Sequence, residues 1–139
     1  MIHHVSIRTA DIHRAIAFYE CLGFIIAERF TTGGTIACWL KGWGFRLELI
    51  QIPHPQPQVD TFADEGYVGY YHFTFDITDL SIDLSTWMKE LAGKFALDDR
   101  LGNLKVLLSP HQQQIGSDLY EVAFIADPDN LPLEILRRY

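Results

Sequence analysis

Two histidines and two glutamates stand at corresponding places in the two halves of this 139-residue sequence: His4, Glu48, His72 and Glu134. His4 opens the alternating run His4-Val5-Ser6-Ile7-Arg8, and 68 positions later His72 opens His72-Phe73-Thr74-Phe75. Glu48 lies within Phe45-Arg46-Leu47-Glu48-Leu49-Ile50, and Glu134 within Leu131-Pro132-Leu133-Glu134-Ile135-Leu136. Side chains alternate along a strand, so each Glu faces away from its apolar neighbours. Burying such a carboxylate is costly unless it is paired or bound to a cation. Two imidazoles and two carboxylates form a mixed nitrogen and oxygen donor set. It suits one divalent metal such as Ni, Zn or Co, with Fe or Mn also compatible, better than Mg or Ca. Four protein ligands with positions left for water would make a catalytic site rather than a closed structural one. A single strand histidine is more often hydrogen-bonded than a ligand, and a single strand Glu usually faces water. The symmetric placement of all four carries the metal reading.

The elements that must position these residues repeat as well. In both halves an Asp seven residues after the histidine (Asp11, Asp79) is placed as the N-cap of an apolar-striped helix. Ile12, Ile16 and Tyr19 share one helical face, and Leu80, Leu84 and Trp87 use the same spacing. On that helical wheel His13 falls on the exposed side with Arg14 and Ala17. Gly23 and Gly93 stand where a left-handed C-cap is common. Strands are expected from Ile2, then over 24–29, 35–40 and 45–52, with turns at Gly33-Gly34 and Gly42–Gly44. In the second half they are expected over 104–108, 120–126 and 131–136, with the polar stretch Ser109–Asp118 as a connection. Each half therefore reads β-α-β-β-β. The segment Pro53–Gly69, with Pro53, Pro55 and Pro57, cannot be a central strand or a regular helix throughout. It reads as a linker, with at most a helical turn near Thr61–Glu65. The expectation is an α+β fold in one domain, residues 1–139: module one about 1–52, linker about 53–69, module two about 70–139. The paired βαβββ modules would form a curved mixed sheet around the metal, two ligands coming from each module.

Ser6 and Arg8 share the strand face of His4 and are expected to line the same cavity as substrate-binding residues, and Arg46 shares the face of Glu48. His3 would point away from His4, His13 lies on the exposed helix side, and His54 and His111 fall in Pro- and Gln-rich stretches. All four are left out of the metal site. Hydrophobic residues make up 48% of the chain, enough for a proper core, and the net charge of −7 argues against nucleic acid. Cys21 and Cys38 form no zinc-ribbon spacing and fit a reducing compartment. No secretory signal or membrane-length apolar run is visible, so the expected location is the cytoplasm.

Further local signatures are Arg14-x-Ile16-x-Phe18-Tyr19-x-x-Leu22-Gly23-Phe24, Tyr71-His72-Phe73, and Ala123-Phe124-Ile125-Ala126-Asp127-Pro128-Asp129-Asn130 leading to Leu133-Glu134-Ile135. With the four ligands, they make the chain resemble glyoxalase I and its relatives in the vicinal oxygen chelate superfamily, which also holds bleomycin resistance proteins and dioxygenases. The resemblance covers nearly the whole chain. It implies a metal-dependent lyase or isomerase that stabilises an enediolate of a small oxygen-chelating substrate, a glutathione adduct among the candidates. It implies Glu134 as the base, with Glu48 facing it across the metal as the second carboxylate. It matches Arg8 to an arginine used for a substrate carboxylate. Methylmalonyl-CoA epimerase-like chemistry, extradiol dioxygenase-like chemistry and a non-catalytic small-molecule or metal-binding module are the alternatives. Glu48 speaks against the dioxygenase triad. The run Ser109–Asp118 lacks the Lys- and Gly-rich loop expected on the glutathione side, and Asn130 stands where Gly is usual. The linker and the family habit of pairing modules lead us to expect a homodimer.

Overall fold

The computed structural model describes every residue from Met1 to Tyr139. The chain divides into two compact units, Met1–Pro57 with Asp98–Gly102, and Gln58–Leu97 with Asn103–Tyr139.

The first unit runs β1 (Val5–Thr9), α1 (Ile12–Cys21), β2 (Ile25–Thr32), β3 (Thr35–Gly42) and β4 (Phe45–Gln51). Its sheet has the order β1-β4-β3-β2, with β1 parallel to β4 and the other neighbours antiparallel. Asp11 caps α1 by accepting from the backbone N–H groups of His13 and Arg14, donors that otherwise lack partners at a helix start. Gly23, at φ +96°, takes the chain out of the helix in a conformation that costs a residue with a Cβ. Ile12, Ile16 and Tyr19 are buried as their spacing predicts. Ala17 is buried too, so the covered face is wider than the helical wheel suggests. Phe24, Leu40, Leu47 and Leu49 complete the core. Trp43 and Gly44, both with positive φ, form the two-residue turn between β3 and β4, whose twist suits a hairpin. The Trp43 indole N–H donates to the Leu22 carbonyl at 2.8 Å and ties this turn to the end of α1.

The second unit repeats the plan: β5 (Phe73–Asp76), α2 (Leu84–Ala96), β6 (Lys105–Ile115), β7 (Asp118–Ala126) and β8 (Pro132–Arg138). The sheet order is β5-β8-β7-β6, and β5 is parallel to β8. Each unit is a mixed sheet with one main helix, the α+β arrangement expected. Several boundaries differ. Asp79 lies in a short 3₁₀ turn, Thr78–Leu80, that ends at Ser81 with φ 53°, and Asp83 is the N-cap of α2. The buried stripe is Leu84, Met88, Leu91 and Phe95, while Leu80 is exposed, so apolar burial starts the helix four residues later than expected. Gly93 sits inside α2, and the helix closes at Leu97. The polar stretch Ser109–Asp118 is not an open connection: β6 extends to Ile115 and turns at Gly116 into β7. It lies at the sheet edge, where backbone pairing needs no apolar side chains. The first strand begins at Val5 rather than Ile2, so both histidines stand just ahead of their strands.

Candidate metal centre

In the first unit the parallel register sets Ser6 on β1 opposite Glu48 on β4, and the antiparallel register sets Trp39 on β3 opposite Glu48 from the other side. The Ser6 hydroxyl donates to Glu48 Oε2 at 2.6 Å, and the Trp39 indole N–H donates to Glu48 Oε1 at 3.0 Å. These bonds, that from Ser6 foremost, hold the Glu48 carboxyl below its ordinary pKa against the opposing effect of burial. His4 Nε2 lies 3.5 Å from Glu48 Oε2. His3 is not turned away from His4. Because these residues precede β1, strand alternation does not govern them, and His3 Nδ1 meets His4 Nδ1 at 2.9 Å. The Arg46 guanidinium donates to His3 Nε2 at 2.7 Å. A neutral His3 that accepts from Arg46 must donate through Nδ1, so His4 carries its own proton on Nε2, towards Glu48. For His4 to bind a metal through Nε2 that proton must leave, and His3 and Arg46 must reorient.

The second unit carries the same design with one change. Thr74 on β5 lies opposite Glu134 on β8, and its hydroxyl donates to Glu134 Oε2 at 2.6 Å. His72 Nδ1 lies 3.9 Å from the same oxygen. On the far side of Glu134 the register places Phe124, which offers no donor where the first unit has Trp39. Glu134 Oε1 therefore accepts no hydrogen bond, whereas both oxygens of Glu48 are held. Phe124 packs edge-on to His72 at 5.0 Å between centroids, and Tyr71 does so at 4.4 Å. Burial, followed by the charges of Glu134 and Glu65, raises the Tyr71 phenol above its usual pKa.

Each unit thus brings one imidazole nitrogen beside one carboxylate oxygen. Two donors bound to one ion at about 2.0–2.2 Å stand roughly 3 Å apart, closer than the 3.5 Å and 3.9 Å of these two pairs. The donor chemistry of each pair, His4 with Glu48 and His72 with Glu134, is of a kind that divalent metals accept. No group of three or more His, Cys, Asp or Glu gathers in the geometry of a metal site. Ser6, expected to contact substrate, is engaged with Glu48. Arg8 is exposed on the same face of β1, with no hydrogen bond or ion pair. Sequence reasoning did not foresee that Thr74 and Trp39 hold the glutamates, or that His3 pairs with Arg46. For Thr74 a signal existed, since it follows His72 by the same two positions by which Ser6 follows His4. His13, His54 and His111 are exposed and apart from both pairs. Cys38 is buried, which pushes its thiol up to about 11, and both cysteines are free.

A family model described as the Glyoxalase/Bleomycin resistance protein/Dioxygenase superfamily matches residues 1–135. No curated protein matches. Among solved structures, SMU.1112c is 21% identical with a TM-score of 0.71, covering 99% of this chain and 98% of that one. A glyoxalase family protein from Enterococcus faecalis is 20% identical with a TM-score of 0.69, covering 99% and 97%. A mutant glyoxalase I from Zea mays is 22% identical with a TM-score of 0.69, covering 97% of this chain but 43% of that one. At these identities the likeness is one of fold.

Proposed function

The chain belongs to the glyoxalase/bleomycin resistance protein/dioxygenase superfamily, and from that premise we propose that it is a metal-dependent lyase or isomerase of glyoxalase I type. Its substrate would be a small molecule with two neighbouring oxygens, a glutathione adduct being the first to test. His4, Glu48, His72 and Glu134 would hold one divalent ion, Ni, Zn or Co. Such an ion would supply a Lewis acid where negative charge grows on the substrate oxygens. The proton alpha to the substrate carbonyl passes to a carboxylate of the chain and returns at the neighbouring carbon. We assign that role to Glu134. The observation that carries the assignment is the unequal dressing of the two glutamates. Ser6 and Trp39 hold both oxygens of Glu48, which suits a fixed ligand. Glu134 is held at Oε2 alone, leaving Oε1 open to take a proton. Arg8, exposed and unpaired on the Ser6 face, is assigned to a substrate carboxylate. A homodimer and a cytoplasmic setting belong to the same reading.

The test is turnover of methylglyoxal with glutathione after reconstitution of the metal-stripped chain with Ni, Co or Zn. Solvent-deuterium exchange of the alpha proton would then be compared in two variants at matched metal occupancy. Glu134→Gln keeps an oxygen that can coordinate but cannot accept the proton, so exchange should fall by about 10²–10⁴-fold. Glu48→Gln should fall less. Exchange that persists in Glu134→Gln and vanishes in Glu48→Gln would reverse the two roles. Absence of turnover with every metal would remove the lyase reading.

A further inference from the structure

Within the second unit, a cavity of about 260 Å³ is lined by Thr61, Glu65, Tyr67, Tyr70 and Tyr71. We propose that this cavity binds the cationic head of a small organic ammonium compound.

The three tyrosines are the first reason. Tyr70 rests on Phe73 and Tyr71 stacks on Phe124, yet Tyr67, Tyr70 and Tyr71 remain 57%, 54% and 40% exposed, a larger solvent-facing aromatic area than packing requires. Large aromatic side chains gathered at the surface, rather than scattered singly, are the kind of patch that marks a binding site. Aromatic faces carry partial negative charge and attract a cation brought against them, most strongly when it is poorly hydrated, as an alkylated ammonium is. The volume lies just under the usual range for ligand pockets, which suits a compound with few heavy atoms.

Glu65 is the second reason. The neighbouring acids have local work: Asp60 accepts from the Ala63 N–H and Asp64 from the Gly66 N–H. Glu65 makes no ion pair or hydrogen bond, so its charge is available at the cavity wall. The charges of Glu134 and Glu65 both act on the Tyr71 phenol at the cavity wall, and no Lys or Arg lines the cavity. With two carboxylates acting on its wall and no cation among its lining residues, the cavity favours a cation over an anion. Thr61 adds a third observation. Its Oγ1 is shut off from water with no hydrogen-bond partner, a condition that native chains rarely leave unexplained. A hydroxyl or N–H near the ligand's charged nitrogen would supply that partner once the wall adjusts. Tyr71 is shared with the surroundings of His72, so the bound cation would sit beside that histidine. The proposal itself needs no metal.

The experiment uses the full wild-type chain without added metal. It is titrated with choline and, separately, with 3,3-dimethyl-1-butanol, the uncharged carbon analogue of the same shape. Tyrosine ring signals are followed by NMR. Choline should shift the rings of Tyr67, Tyr70 and Tyr71 and bind about tenfold or more tightly than its neutral analogue, the scale of a desolvated cation–aromatic contact. Glu65→Gln and Tyr70→Leu, both on irregular exposed backbone, should each weaken choline by about fivefold or more with the melting temperature unchanged. Equal affinity for the two probes overturns the proposal, and that comparison needs no variant. So does choline that leaves the three rings unshifted, or a Glu65→Gln variant that binds it as wild type does.

Discussion

A hydroxyl two residues beyond each histidine fixes the glutamate on the neighbouring strand, Ser6 for Glu48 and Thr74 for Glu134. In the first unit the consequence is electrostatic. Folding stabilises the ionised form of Glu48, since its carboxyl is held below the ordinary value. That contribution is complete above the unfolded pKa and is lost as pH falls through the lowered folded value. Ser6→Ala should therefore cost about 1 kcal/mol at neutral pH. The gap from wild type should close as the pH drops below roughly 4. Urea unfolding on both sides of that pH checks it, and a gap of equal size throughout would assign the loss to packing instead. That His4 stands beside Glu48 and His72 beside Glu134 was legible from the repeat, which sets each histidine and each glutamate at like places in its half. Which groups dress them was not legible. Trp39 reaches Glu48 through the β3–β4 register, and no local pattern states which residue of one strand opposes which of another. His3 was misread for the opposite reason, because alternation was applied to residues that precede the strand.

At the level of elements, the two helices show when a sequence signal suffices. Asp11 is followed directly by the residues it caps, and α1 begins where expected. In the second unit Asp79 and Asp83 both precede apolar residues, and the choice between them rests on burial. Leu84, Met88, Leu91 and Phe95 make a longer buried stripe than one begun at Leu80. Asp83→Ala should measurably destabilise the protein, as losing an N-cap does. Asp79→Ala should remain within about 0.5 kcal/mol of wild type, as for most surface changes. Chemical denaturation of the two variants decides between the caps, and a larger loss in Asp79→Ala would restore the earlier helix start. The extension of β6 was hidden because Gln112, Gln113 and Gln114 carry no apolar alternation. An edge strand facing solvent needs none.

Across the whole molecule, the duplicated plan was the part of the fold most open to reading, because it is written as equal spacing between like residues. The order of strands in each sheet was not, since it depends on the parallel pairings β1–β4 and β5–β8, which join residues far apart in sequence. No helix is long and apolar enough to cross a membrane. The outer edge of β6 pairs with no other strand of the chain, and it runs the eleven residues Lys105–Ile115 with Val106, Leu108 and Ile115 exposed. Such an edge is a template for uncontrolled association. Here the pairing with β7 slips twice, between Val106 and Leu108 and between Leu108 and His111, and Pro110 stands inside the second slip. A proline offers no N–H to an incoming strand, and the slips bend the edge out of plane. Pro110→Val should leave the melting temperature nearly unchanged, yet light scattering on storage at high concentration should rise. Clear solutions of both proteins would show that the proline has no such duty. The shelf life of this protein in concentrated solution would then rest on one ring in an edge strand.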